Sequence, residues 1–306
     1  MRLEEAVSEV DTAVTIGKFD GVHTGHAEII TQLRSAANER GLTPVAITFD
    51  RNPLALVKPE IAPAAITSQS QQEELLLAAG VERVVVLDFT PELMATEPED
   101  FVTALFERMR ARMLFVGADF TFGSRARGDV AMLQREAPKH GAEVRVADDV
   151  FDADGRRISS TWIRDSLALG RVEDAASMLG RLHSVRGAVV HGQQRGRELG
   201  FPTANLESSP QGFIPADGVY AAWATIDGRR HQAAVSVGDN PTFDGNIERV
   251  VEAHLLDVDI DVYGKQMTVE FVRFLRTMHR FEGLDALIEQ MQRDVEETRE
   301  VLAADS

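Results

Sequence analysis

Apolar and polar positions follow two different rhythms along this chain, and the change between them falls past its middle. Up to about residue 147, short apolar runs alternate with longer stretches of helical spacing. Ala13-Val14-Thr15-Ile16, Val45-Ala46-Ile47-Thr48-Phe49, Arg83-Val84-Val85-Val86-Leu87, Met113-Leu114-Phe115-Val116 and Glu143-Val144-Arg145-Val146 read as strands. Between them, Ala27 to Ala37, Gln71 to Ala79, Pro98 to Met109 and Val130 to Glu136 carry the spacing of amphipathic helices. Strands alternating with helices predict a doubly wound α/β parallel sheet covered on both sides. Ligands of such sheets sit at the carboxyl ends of the strands, where strand order reverses.

After a short helical piece at Val172 to Leu179, the pattern changes near Leu182. Ser184 to Val190, Gly218 to Ala224, Arg230 to Val237, Val250 to Leu256 and Met267 to Phe274 are β-rich and separated by Gly, Asp and Pro turns. Strands of that kind predict a small antiparallel β-barrel. Gly283 to Leu302 has the spacing of one amphipathic helix, expected to pack on that barrel. The boundary is therefore set between residues 181 and 182, giving an α/β unit over 1–181 and a barrel with a C-terminal helix over 182–306. A length of 306 residues agrees with about two domains.

Composition narrows the chemistry. The chain has no cysteine, which excludes disulfides and thiolate metal sites. No N-terminal apolar stretch or membrane-length apolar run occurs, so a cytoplasmic location is expected. A formal charge of −17 argues against a general nucleic-acid or anionic-membrane surface. If the substrate is an anionic nucleotide, the same charge makes bound Mg²⁺ expected at the reacting phosphates.

Candidate chemistry concentrates in five segments. Gly17-Lys18-Phe19-Asp20-Gly21-Val22-His23-Thr24-Gly25-His26 puts two imidazoles where a strand feeds a helix N-terminus, and that end of a helix favours phosphate. A His pair alone is more often structural or metal-binding. Gly17, Gly21 and Gly25, which permit tight turns and close backbone approach, favour a ligand instead. Gly117 to Asp129 contains Asp119, Phe120, Phe122, Arg125 and Arg127, able to hold a phosphate and stack a planar ring. In Ile158-Ser159-Ser160-Thr161-Trp162-Ile163-Arg164, hydroxyl caps and a guanidinium at a helix start suit a pyrophosphate leaving group. His191 to Asn205 joins a Gly/Arg stretch to Pro202-Thr203-Ala204-Asn205. Its Gly192 and Gly196 would let backbone wrap phosphates, and Thr203 and Asn205 are oxygen ligands suited to Mg²⁺. Val251 to Asp257 presents Glu252 on a strand, where a carboxylate taken alone is more often just solvated.

Gly-Val-His-Thr-Gly-His resembles the His-x-Gly-His signature of the nucleotidyltransferase superfamily, a Rossmann-like group, and Ile-Ser-Ser-Thr-x-Ile-Arg resembles its second signature. Thr15-Ile16-Gly17-Lys18-Phe19-Asp20-Gly21 and Val116 to Gly123 resemble one branch, the bifunctional riboflavin kinase/FMN adenylyltransferases, and His191 to Asn205 and Val251 to Asp257 resemble its kinase motifs. The resemblance spans roughly Thr12 to Leu302 and implies that ATP phosphorylates riboflavin to FMN in the second module and adenylylates FMN to FAD in the first. It implies His23, His26, Arg164 and Glu252 as catalytic residues. ATP or its phosphates would be bound by Gly17, Phe19, Gly21, Gly25, Ser159, Ser160, Thr161, Gly192, Arg195 and Gly196. Asp119, Phe120, Phe122, Arg125 and Arg276 would lie on the flavin side, and Thr203 and Asn205 would hold the metal. The chain departs from the family where Asn52-Pro53 replaces His-Pro, and again over Thr277-Met278-His279-Arg280, beside Phe281. An enzyme with only its first site live, a flavin sensor with decayed catalysis, and a cytidylyltransferase are the rival readings. The last leaves the barrel unexplained.

Overall fold

The computed structural model describes residues 1–192, 200–241, 247–258 and 260–304. Among them, residues divide into two compact units, Met1–Ser159 and Ser160–Ser306.

In the first unit, β1 (Thr12–Ile16), β2 (Thr43–Phe49), β3 (Arg83–Leu87), β4 (Ala111–Gly117) and β7 (Glu143–Ala147) form one sheet of order β3-β2-β1-β4-β7. All four pairings are parallel. The chain starts in the middle, builds outward to β3, then returns to the other side of β1, so strand order reverses between β1 and β4. The two-residue strands β5 (Thr121–Phe122) and β6 (Gly128–Asp129) form a separate antiparallel ribbon.

Alternation along each strand feeds two cores, as pleating requires. Val14, Ile16, Ile47, Leu114 and Val116 pack on one face with Phe101 and Leu105. Ala13, Ala46, Met113 and Phe115 pack on the other with Ile30 and Leu33 of α1 (Thr24–Arg40). The expected helix from Pro98 to Met109 is α-helical over Pro98–Thr103 and continues as a π-helical turn over Ala104–Arg108.

The second unit is a closed antiparallel barrel of order β10-β11-β12-β9-β8-β13. Its strands are β8 (His183–Val190), β9 (Ala204–Leu206), β10 (Gly218–Ile226), β11 (Arg229–Pro241), β12 (Ile247–Leu255) and β13 (Gln266–Arg276). The three-residue β9, which the sequence pattern did not predict, closes the barrel by pairing with both β12 and β8. The C-terminal helix Leu284–Ala304 packs Val301 and Leu302 around Ala221, with Trp223, Val272 and Leu275 alongside. Helices Ser160–Ala168 and Val172–Leu179 also belong to this unit, and the Leu167 carbonyl accepts the Ala216 N–H at 2.9 Å. Among the described residues no helix is long and apolar enough to cross a membrane.

Candidate active sites

In the first unit the turn after β1 lies at the carboxyl end of the central strand, beside the reversal point. Phe19 anchors it, 1% exposed and part of the α1-side core. His23 then caps α1 in extended backbone geometry, and its carbonyl accepts the Ala27 N–H at 3.0 Å. The His23 and His26 rings stack at 3.7 Å with planes 19° apart, and Phe19 meets His26 edge-on at 5.1 Å. Gly25 leaves room for the stack: a Cβ there would stand 3.1 Å from the His23 ring. Stacked imidazoles beside helix N–H groups can meet one anion together.

The turn carries strain. Phe19 and Val22 have φ of 45° and 40°, a region costly to a branched residue and held only where surroundings impose it. Asp20 Oδ1 accepts the Ile66 N–H at 2.8 Å, and the Gly21 N–H reaches Thr67 Oγ1 at 3.4 Å. A cleft of about 290 Å³ opens beside this turn, lined among others by Lys18, Asp20, Phe49, Asn52, Thr67 and Gln72. Asn52, at the departure from the family pattern, caps the helix Pro53–Val57 by accepting the Leu54 N–H at 3.0 Å.

Of the flavin-side candidates, Phe122 is buried, stacked at 5.0 Å on Phe101, and Phe120 stacks on Phe122 at 5.8 Å. Asp119 and Arg125 are exposed, Asp119 within 3.8 Å of Arg157. Ser159 closes the first unit; Ser160, Thr161 and Arg164 open the second, where Arg164 Nη2 lies 3.4 Å from Thr161 Oγ1.

In the second unit, Asn205 on β9 pairs directly with Glu252 on β12, so the two side chains share one side of the ladder about 5 Å apart. Asn205 is buried and Glu252 half-buried. Burial raises the Glu252 carboxyl above the ordinary glutamate range, as suits a proton acceptor. Gly192 closes on the same point: a Cβ there would fall 2.5 Å from Asn205 Nδ2. Next to Gly192, His191 stacks on Tyr263 at 3.8 Å. Thr203, half-buried, lies just before β9. Arg195 and Gly196 lie outside the described residues, as do Thr242 and Phe243. Arg276 donates to Asp294 of the C-terminal helix through Nε at 2.8 Å and Nη2 at 2.7 Å, and to the Thr277 carbonyl through Nη1.

Sequence reasoning missed three residues that hold these sites. His254 Nδ1 lies 2.8 Å from the Pro202 carbonyl, one residue before Thr203. Thr48 and Gln72 both reach the Lys18 carbonyl. One signal was available: Gln72 precedes buried Leu76 by four positions, which puts a polar residue on the buried stripe of its helix.

The FAD synthetase family model matches residues 6–162 and the riboflavin kinase family model matches residues 179–302. A bifunctional riboflavin kinase/FMN adenylyltransferase of Pseudomonas fluorescens is 37% identical over 94% of this chain and 92% of its own length. The protein of the same description from Escherichia coli (strain K12) is 36% identical over 94% of this chain and 91% of its own. A solved structure described as a macrolide-efflux protein from Streptococcus pneumoniae matches with a TM-score of 0.85 and 33% identity, covering 97% of both chains.

Proposed function

The chain belongs to the bifunctional riboflavin kinase/FMN adenylyltransferase family, whose members convert riboflavin to FMN and FMN to FAD, and from that premise we propose how its residues divide the work. Residues 1–181 carry the adenylyl transfer and residues 182–306 the phosphorylation. In the first, an FMN phosphate oxygen attacks the α-phosphorus of ATP in line, the bond to the β-phosphate oxygen breaks, and pyrophosphate leaves. No covalent enzyme intermediate is needed, so the protein contributes positioning and charge stabilisation. His23 and His26 hydrogen-bond the phosphates as charge builds, helped by the backbone of Gly17, Phe19, Gly21 and Gly25. Ser159, Ser160, Thr161 and Arg164 take the leaving pyrophosphate. Asp119, Phe120, Phe122 and Arg125 stand on the flavin side, Phe122 through packing.

In the second reaction Glu252 accepts or orients the proton of the ribityl 5′-hydroxyl, whose oxygen attacks the γ-phosphorus of ATP as ADP leaves. Gly192, Arg195 and Gly196 line the phosphates, and Arg276 supports the flavin side from its place against Asp294. The neutral side-chain oxygens of Thr203 and Asn205, the latter close against Gly192, would hold Mg²⁺, which would offset the charge of the reacting phosphates. The partners are the small molecules riboflavin, FMN and ATP, and a cytoplasmic location accords with that chemistry.

The observation that supports this division is that the His23/His26 stack and the Asn205/Glu252 pair fall in different compact units, although the units themselves divide at Ser159/Ser160, ahead of the proposed 181/182 boundary. The test is chromatography of riboflavin, FMN and FAD after incubation with ATP and Mg²⁺. His26→Ala should accumulate FMN, and Glu252→Gln should make FAD from added FMN normally but phosphorylate riboflavin far more slowly. Loss of both activities in either variant would contradict the division.

A further inference from the structure

The strained turn that presents the histidines is gripped from two neighbouring elements at one atom, the Lys18 carbonyl oxygen. Gln72 Nε2 donates to it at 2.6 Å, and Thr48 Oγ1 stands 3.3 Å from it. Thr48 Oγ1 also lies 3.2 Å from Gln72 Oε1, so its single proton serves one acceptor or the other. A carbonyl can only accept, which fixes the orientation of the Gln72 amide. Thr48 is fully buried and Gln72 nearly so, at 7% exposure. Buried polar groups stay put only when satisfied, and here each satisfies the other. The next residue along, Phe19, is the first residue of the turn with positive φ, and its ring touches His26.

We infer that Gln72 is a positioning residue for FMN adenylylation, acting through Lys18 and Phe19 to hold His23 and His26 in their stack. The inference rests on the proposed role of those histidines. Misplacement by about 1 Å costs on the order of 100-fold in rate, although the altered group lies outside the chemistry. The riboflavin kinase activity of the same polypeptide, which owes nothing to this turn, is the internal control.

The experiment measures both activities of the full-length protein carrying Gln72→Met, Gln72→Glu or, for reference, His26→Ala. Methionine fills the volume and removes both hydrogen bonds. Gln72→Met should lower kcat for adenylylation by about 10- to 100-fold with riboflavin phosphorylation unchanged. Gln72→Glu supplies a readout that lost packing alone would not move. Its ionised carboxylate repels the Lys18 carbonyl, whereas its protonated form can donate to it, so its kcat relative to wild type should rise as pH falls. Lys18, Asp20, Asp50 and Arg51 line the same cleft and set where that rise occurs, while its direction follows from Gln72→Glu alone. A wild-type kcat in Gln72→Met alongside a crippled His26→Ala overturns the positioning role and spares the histidines. Wild-type adenylylation in both variants overturns the histidine reading as well. A loss confined to KM, a parallel loss of kinase activity, or a flat pH ratio in Gln72→Glu also overturns the inference.

Discussion

His23 and His26 stand on a turn whose backbone enters the left-handed region at three residues and whose anchors are side chains from two other elements, whereas Asn205 and Glu252 face each other across paired strands of a closed barrel. In the first site geometry depends on a few hydrogen bonds made at a distance. In the second it depends on ladder register, which cannot shift without moving every neighbouring side chain to the other face. The first site should therefore be sensitive to substitutions that never touch substrate, and the second to groups within the ladder itself.

The largest effect expected is that of Glu252→Gln, which keeps shape and removes the proton acceptor; riboflavin phosphorylation should fall by about 10²–10⁴-fold in initial-rate assays. The same change should raise the melting temperature of the second unit at neutral pH. Burial raises the folded-state pKa of Glu252, so its contribution to stability is present below the ordinary glutamate value of about 4.3 and is lost as pH rises through the raised one. Neutralising the group removes that cost. His26→Ala comes next, with adenylylation reduced by about 10²–10³-fold, the usual loss of one preorganised donor, and kinase activity retained. Gly192→Ala would push a methyl against Asn205 and should cost the kinase about 10-fold, read as kcat/KM for ATP, with FAD formation from FMN unaffected.

The smallest effect concerns His183, buried in the barrel with Nε2 2.6 Å from the Phe213 carbonyl. Burial pushes its pKa down to about 4. The folded unit thus resists a proton that the unfolded chain takes near 6.5, and stability is lost as pH falls from about 6.5 towards 4. Chemical denaturation across that window should show the second unit weakening on acidification, with a shallower slope in His183→Gln. An unchanged slope would mean that His183 is protonated in place.

The strand–helix alternation of the first unit was legible because short apolar runs and helical spacing differ in period: strand Arg83–Leu87 and helix Val130–Glu136 form where periodicity put them. The π-helical turn at Ala104–Arg108 was not legible, since the apolar spacing of Leu105, Phe106 and Met109 fits an α-helix equally. β9 escaped because three residues just past a proline carry too little periodic pattern to read as a strand. The candidate residues of the second site stood out as a motif, but their pairing through β9 did not. Likewise Arg276 gave no sign of Asp294, 18 positions on, because ion pairs between elements leave no local trace. Thr48 looks like an ordinary polar position until the turn it holds has been built, whereas Gln72 showed itself only by its place on the buried stripe of its helix.

The contrast between a tethered turn and a paired ladder can be measured directly by amide hydrogen exchange, comparing wild type with Gln72→Met. Gly17, Gly21, Val22 and Ala27 all donate their N–H within or beside the turn. The account predicts faster exchange at these amides in Gln72→Met, with protection across β12, including Glu252, unchanged. Wild-type exchange rates in the turn would contradict it, because the histidine stack would then be held by something other than the tether at Lys18.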